Sequence, residues 1–535
     1  MIACCLMATV TTYAQLDEIE WSTTKHTYYT DISFIPGNNG LFAVEGNMEG
    51  GGSEVTLYNP QDFKKSKTHQ LLSTKRKENI YRNGQASTGA TSIGGEIYSY
   101  EKRYSETRMR SSVVLTCLSS DKPDITINEL PDPKGKDVMI NYNAVSPNRK
   151  YTVVYSTSVL GKNFKDRMQR IPYLGYAFLY FGKRKADFYE RVNVFSVFDQ
   201  RGKKVWTKEF MLNGSDTVNY VQDVKISDEG KVFIHTRATH LKSNTFLNGS
   251  HFNLIAKSRG YYSERIYSIG RNDDTPVRLD YHVKDSKNFA FEASYERFFF
   301  SGNDYLRVAN VEIGHRAKGI LYRSFTAKRF VGFIINNLSD PQVPTVLIQI
   351  SANDLLKSFS KKETKKLSKG GTITVGVPEV AGVHLHKSKG IYLFIEHGYH
   401  PTAAADMNKA YDNLVILNTD YKGKVNWSEV KPNRGGGFGI HCIVEGESFL
   451  LVENSAKRAE NKRRAEPVIW IQRLDWEARI LEEFWLKTDK VNVHLDETLV
   501  NGNGDIMLYG KKSRAVDYRG ALKSEKTYVG RVNVD

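Results

Sequence analysis

Cysteine is scarce in this 535-residue chain, with four in all, and proline numbers only 14. So few thiols exclude a disulfide-stapled scaffold, and so little proline beside 41 glycines excludes a collagen-like chain. Long apolar runs are missing too: no stretch reaches the roughly eighteen uninterrupted apolar residues that a membrane helix needs. Signatures of several enzyme classes are absent, including a Gly-x-Ser-x-Gly elbow and an HExxH pair. The glycine runs Gly50–Gly52 and Gly435–Gly437 precede no helical pattern with Lys and Ser/Thr in the phosphate-cradling register, so they are loops. Asn501–Asp505 lacks the spaced carboxylates and distal Glu of a calcium loop and reads as a hairpin turn whose Asn and Gly tolerate positive φ.

What is present describes a folded, strand-rich protein. Hydrophobic residues make up 40% and aromatics 12%, with 30 Tyr and 26 Phe beside short β-branched runs. At this length one ordinary core is too small, so several domains or one repeat-built domain is expected. The apolar run Ile2–Val10, followed by Thr12 and Ala14, reads as a secretory signal cut near Gln15. Residues 1–15 are therefore expected to be removed, which places the mature chain, residues 16–535, in a secreted or periplasmic compartment. Removal takes away Cys4 and Cys5, leaving Cys117 and Cys442 as separate thiols.

A repeating unit runs through the chain: an apolar strand, a tight turn rich in Gly, Asn, Asp or Pro, and a second strand with aromatic and aliphatic residues. Eight copies span 31–47, 86–103, 143–158, 222–238, 289–304, 383–398, 439–455 and 496–512. Their second strands are placed to start near Leu41, Ile97, Tyr151, Val232, Phe298, Ile391, Phe449 and Ile506, and four of the seven intervals fall between 54 and 58 residues. A second strand pair follows several hairpins, as in Val192–Phe198 with Lys203–Phe210, Asn413–Asn418 with Lys424–Val430, and Val468–Leu474 with Arg479–Leu486. Two hairpins make a four-stranded sheet that must cover its apolar face with the next sheet. The expected fold is all-β, a β-propeller of seven or eight four-stranded blades. Two packed all-β domains are the alternative.

Two outer hairpins share a sharper pattern. Asp199–Trp206 reads DQRGKKVW, and Gly423–Trp427 repeats its Gly-to-Trp spacing, with a degenerate copy over Leu474–Trp485. This resembles the Trp-ended repeat of quinoprotein-like β-propeller proteins of the bacterial envelope, across about a third of the chain. The resemblance implies that the Trp ring packs on the adjacent blade and that Gly opens the turn. It carries no catalytic residue across, and the vicinal cysteine pair frequent in the quinone enzymes is missing from the mature chain. The same repeat builds non-enzymatic envelope scaffolds.

Two insertions lengthen the repeat, at 161–191 and 351–371. The first holds eight basic and three acidic residues, 8 − 3 = +5, around the run Ile171–Phe181. Arg170, Tyr173, Tyr176, Phe178, Tyr180, Phe181, Lys183 and Arg184 form the candidate partner-binding set. Rings beside cations suit an anionic membrane surface or a partner protein, whereas a buried edge strand is the structural alternative. The second insertion reads as a short helix, with a capping box from Ser351 to Asp354, ended by the Lys-rich Lys361–Lys369, the best candidate linker.

His384, His386, His397 and His400 cluster within 17 residues. His384 and His386 share one strand face, and a tight hairpin is expected to set His397 opposite them, an arrangement suited to zinc or copper, with Glu396 or Asp406 to complete it. Surface histidines are the plainer reading, and no cofactor is expected otherwise. Ser227–Gly230 is similar to the turn box of sialidase propellers with the spacing one residue off. A net charge of +16 favours anionic partners: an acidic glycan, a lipid surface or an envelope protein. Nucleic acid is disfavoured by export. The expected function is a non-catalytic binding or scaffold propeller. The alternative is a glycan hydrolase or lyase with carboxylates such as Asp223, Asp304 and Glu396, or a His-ligated metal, in an axial channel.

Overall fold

The computed structural model describes residues 19–23, 29–39, 41–48, 52–59, 65–71, 85–131, 138–160, 190–212, 217–240, 262–279, 291–314, 328–340, 342–349, 379–399, 410–432, 440–445, 448–457, 466–488, 491–500, 506–514 and 523–532. Every regular element among them is a strand. After β1 (Glu20–Thr23) come β2 (Tyr29–Pro36), β3 (Phe42–Met48), β4 (Gly52–Tyr58) and β5 (Lys65–Leu71), then β6 (Gln85–Ile93), β7 (Glu96–Ser105), β8 (Arg110–Cys117) and β9 (Ile125–Pro131). The third set is β10 (Val138–Val145), β11 (Tyr151–Leu160), β12 (Glu190–Asp199) and β13 (Lys204–Phe210), and the fourth β14 (Thr217–Ile226), β15 (Val232–His240), β16 (Tyr262–Ile269) and β17 (Val277–Leu279). The fifth is β18 (Phe291–Ser301), β19 (Asp304–Gly314), β20 (Lys328–Asn337) and β21 (Val346–Gln349), and the sixth β22 (Glu379–His386), β23 (Gly390–Tyr399), β24 (Ala410–Thr419) and β25 (Val425–Pro432). The seventh is β26 (Ile440–Glu445), β27 (Ser448–Lys457), β28 (Glu466–Asp475) and β29 (Ile480–Lys487). The chain ends with β30 (Asn492–Val500), β31 (Ile506–Arg514) and β32 (Lys523–Val532).

Each set of four forms one antiparallel meander in sequence order, and the last sheet takes β1 as its fourth strand, in the order β30-β31-β32-β1. The fold is thus all-β, a β-propeller of eight four-stranded blades. The fourth strand of the last blade comes from the beginning of the chain: Trp21 pairs with Gly530, meets the Tyr528 ring edge-on at 6.2 Å, and Glu20 ion-pairs with Arg531.

The strands divide into two compact units, an N-terminal one of residues 35–60 and 65–281 and a C-terminal one of residues 1–34, 61–64 and 282–535. In each unit three apolar cores lie between successive blades. In the N-terminal unit they join blade 1 to 2 (Val55, Leu57, Ile97), 2 to 3 (Val113, Leu115, Val154, Phe198) and 3 to 4 (Phe195, Val197, Ile226, Ile234). In the C-terminal unit they join 5 to 6 (Phe333, Ile348, Leu393, Leu417), 6 to 7 (Phe394, Ile416, Leu451, Trp476) and 7 to 8 (Val452, Ile471, Ile506, Leu508). Alternate residues of one strand serve opposite cores: Leu451 faces blade 6 and Val452 faces blade 8, as the two-residue period of a strand requires. The first strands of blades 2 to 4, and those of blades 5 to 8, run side by side. Six first-to-second pairings also carry a bulge, which adds local twist to a strongly twisted sheet.

Seven of the eight hairpins fall where the sequence places them. The fifth is displaced: its second strand starts at Asp304, and Phe298 belongs to the first strand. The aromatic run Phe298–Phe300 has the composition of a strand start, yet the chain reverses only at Gly302, whose φ of +57° permits the two-residue turn. The expected helix and Lys-rich linker lie outside the described residues, as does the expected signal, residues 1–15.

Candidate functional site

The eight residues of the basic-aromatic set, Arg170 to Arg184, also lie outside the described residues. Their topological address is nevertheless defined. They connect β11 to β12, leaving after Leu160 and returning at Glu190, which pair with each other. In an antiparallel meander the first-to-second and third-to-fourth turns sit at one end of the strands. The second-to-third and fourth-to-first connections sit at the other.

Sorting the connections by end separates length and charge together. First-to-second and third-to-fourth turns are at most eight residues long, as at 338–345, whereas the opposite connections reach 29 residues at 161–189 and 350–378. In the N-terminal unit the sequence of the second-to-third and fourth-to-first connections holds 17 Lys and Arg against 9 Asp and Glu, 17 − 9 = +8; that of the short turns holds 7 against 6, or +1. In the C-terminal unit the figures are 20 − 7 = +13 against 6 − 6 = 0. In the sequence of each unit the basic surplus thus belongs to the second-to-third and fourth-to-first connections.

The short-turn end is stitched between blades. Asn38 donates from its backbone N–H to Gly95 O and from Nδ2 to Gly94 O. The Asn148 N–H donates to Asp228 Oδ1 at 2.8 Å, and the Leu385 N–H to Ser301 Oγ at 2.7 Å. Three third-to-fourth turns share one design. Asp199, Asp420 and Asp475 each accept two backbone N–H groups on Oδ1, and the fourth residue of each turn has positive φ: Gly202 at 75°, Gly423 at 86° and Ala478 at 61°. The Trp-ended segments are thus Asp-capped turns followed by a bulge, and Trp206 packs in the core shared with blade 4, as the resemblance implies. Ser227, in the segment similar to a sialidase turn box, does the same job: its hydroxyl accepts the N–H of Glu229 and of Lys231.

Of the four histidines, the structure brings two together. His384 and His386 extend from the end of β22, with ring centroids 6.4 Å apart, against Trp476 of blade 7. His384 stacks on that indole at 4.8 Å and 13°, and His386 meets it edge-on at 5.1 Å. His386 Nδ1 accepts the N–H of Lys389 at 3.1 Å and of Ser388 at 3.3 Å, which places the ring proton on Nε2 in the neutral form. Burial, then the neighbouring His386, holds the His384 imidazole below the ordinary histidine range. His397 is not set opposite this pair. Tyr392 faces His384 in the ladder, and His397 lies five residues further along β23, paired with Asn413, about 17 Å away at strand rise. His400 and Asp406 lie outside the described residues. Among the described residues no group of three or more His, Cys, Asp or Glu side chains converges as a metal site.

The carboxylates are placed separately. Asp223 accepts the Val224 N–H and pairs with Lys225, Asp304 accepts Asn337 Nδ2 at 2.7 Å, and Glu396 is buried in β23. Burial raises the Glu45 carboxyl above its usual range, and Glu45 also accepts the Ala90 N–H at 3.1 Å. Cys117 and Cys442 are free thiols, as expected. The sequence reading missed the division of charge between strand ends and the partnership of Trp476 with the histidines. The signal for the latter was Asp475–Arg479, DWEAR, as a copy of the DQRGK turn with Ala in place of Gly.

No family model matches the chain, and no curated protein matches it. Solved structures with a related course are β-propeller proteins. One is the dihydro-heme d1 dehydrogenase NirN, at 11% identity over 97% of this chain and 81% of that one, with a TM-score of 0.39. The β-propeller domain of the Trilobed protease from Pyrococcus furiosus matches at 10% identity over 85% and 98%, with a TM-score of 0.32. A prolyl endopeptidase matches at 12% identity and a TM-score of 0.34; the match covers 84% of this chain and spans 46% of the length of that one. These likenesses concern the fold, and the activities named belong to those proteins.

Proposed function

We propose that this protein is an exported, non-catalytic binding propeller that takes an acidic glycan at the end of its strands where the long connections emerge. The observation that carries the reading is the division of charge, +8 against +1 in one unit and +13 against 0 in the other. Uniform basicity would serve solubility; basicity confined to the longer connections at one strand end serves attraction of polyanions. On this reading the basic-aromatic set around Arg170–Arg184, in the sequence between β11 and β12, supplies rings to stack on sugar faces and cations to meet carboxylate or sulfate. The Trp-ended repeat, which resembles that of quinoprotein-like envelope scaffolds, agrees with a scaffold role.

A sulfated polysaccharide is the test probe. The expected result is binding at 50 mM salt that weakens at least tenfold by 300 mM, and that falls at least tenfold at low salt when Lys183, Arg184 and Lys185 are changed to Glu. Retained binding in that variant, or no binding by the parent, contradicts the proposal.

A further inference from the structure

A second surface lies at the opposite strand end of the C-terminal unit. Five large apolar side chains are exposed at the short-turn end of that unit. Val343 and Tyr421 are in the third-to-fourth turns of blades 5 and 6, Ile480 and Leu481 directly follow that turn in blade 7, and Val444 precedes the first-to-second turn of blade 7. Tyr421 is 46% and Leu481 53% exposed, although nothing in strand chemistry requires apolar residues at turn tips.

Lysines are interleaved with these tips. Lys387 and Lys389 occupy one turn of blade 6, and Lys422 and Lys424 the other. The surface is contiguous. Gly423 lies against the Leu347 carbonyl of blade 5, Tyr421 Oη donates to His386 O at 2.8 Å, and Lys389 Nζ pairs with Glu477 of blade 7 at 2.8 Å. Asp420, the acid nearest the lysines in sequence, is engaged by the backbone N–H groups of Lys422 and Lys424.

We propose that this end of the C-terminal unit docks onto an anionic lipid bilayer, with Tyr421, Ile480 and Leu481 entering the interfacial layer and the blade 6 lysines meeting headgroup phosphates. Separate apolar tips on short, hydrogen-bonded turns, with an aromatic ring and lysines among them, suit the interfacial layer of a bilayer. The blade 6 turns carry four lysines against Asp420, 4 − 1 = +3, within an end whose turns are neutral in sum, and that local surplus matches the negative surface potential of such a bilayer. The surface differs from the proposed glycan-binding end, so the two readings stand or fall separately.

The test is sedimentation of the full chain with vesicles of mixed zwitterionic and anionic phospholipid, and with purely zwitterionic vesicles as the control. The parent is expected to partition onto the anionic vesicles only. The triple change Lys387→Glu, Lys422→Glu, Lys424→Glu is expected to weaken partitioning roughly a hundredfold, from the contribution of each surface lysine. Tyr421→Ser with Leu481→Ser is expected to weaken it at least tenfold, while Lys183→Glu with Arg184→Glu and Lys185→Glu leaves it unchanged. The fluorescence of Tyr421→Trp should shift to the blue with vesicles. Failure of the parent to partition, equal partitioning by the tip variant, loss only in the Lys183–Lys185 variant, or binding to an acidic protein but not to vesicles overturns the proposal.

Discussion

His384 shows how one side chain links a local motif to blade packing. Its ring stacks on the Trp476 indole beside His386, and burial there disfavours the imidazolium. The folded-state value lies below the ordinary histidine value of about 6.5, so the unfolded chain takes up its proton first as pH falls. The stability that the neutral ring supports is therefore complete above about pH 6.5 and is lost as pH drops from there toward the lower folded-state value. Thermal unfolding compared at pH 7.5 and 5.5 should show a larger fall in midpoint for the parent than for His384→Gln; equal falls would refute the assignment. The sequence exposes the pair through its period of two on β22. Its stacking partner, 92 residues downstream, is beyond any local pattern.

At the scale of elements, the third-to-fourth turn is the most informative unit. Asp caps two N–H groups, the fourth residue turns left-handed, and the following strand resumes after a bulge. Gly423 also approaches the neighbouring blade so closely that an added Cβ would stand 2.2 Å from Leu347 O, whereas a Cβ at Gly302 meets nothing within 4 Å. Both have positive φ, so both substitutions share the conformational cost of about 1–2 kcal/mol. Gly423→Ala adds a backbone clash and is expected to lose more than ~2 kcal/mol in urea unfolding, with Gly302→Ala near ~1 kcal/mol. Similar losses would show that the close approach is relieved without cost. This turn was legible because Asp, Gly and Trp recur at fixed spacing. The fifth hairpin was misplaced because three consecutive phenylalanines obscure where the strand ends, and composition alone gives no register. The same limit applied to the histidines: proximity in sequence suggested His397 opposite His384, and the ladder separates them by five residues.

For the whole molecule, repeat length was enough to give the architecture, because a sheet with two apolar faces must be covered on both and each blade supplies the cover for the next. The site was less legible. The sequence shows a surplus of +16 and several basic clusters, but their common location follows only once every connection is assigned to an end of the strands. The short turns are fixed by caps and inter-blade hydrogen bonds, which leaves the other end free to vary in length and charge.

The account rests on recognition at that end, and hydrogen exchange in the presence and absence of a saturating sulfated polysaccharide tests it most directly. Protection is predicted at the strand ends that flank the long connections, the paired positions Leu160 with Glu190, Gly314 with Lys328 and Lys457 with Glu466. Protection confined to the short turns, such as 200–203 and 420–424, would contradict it.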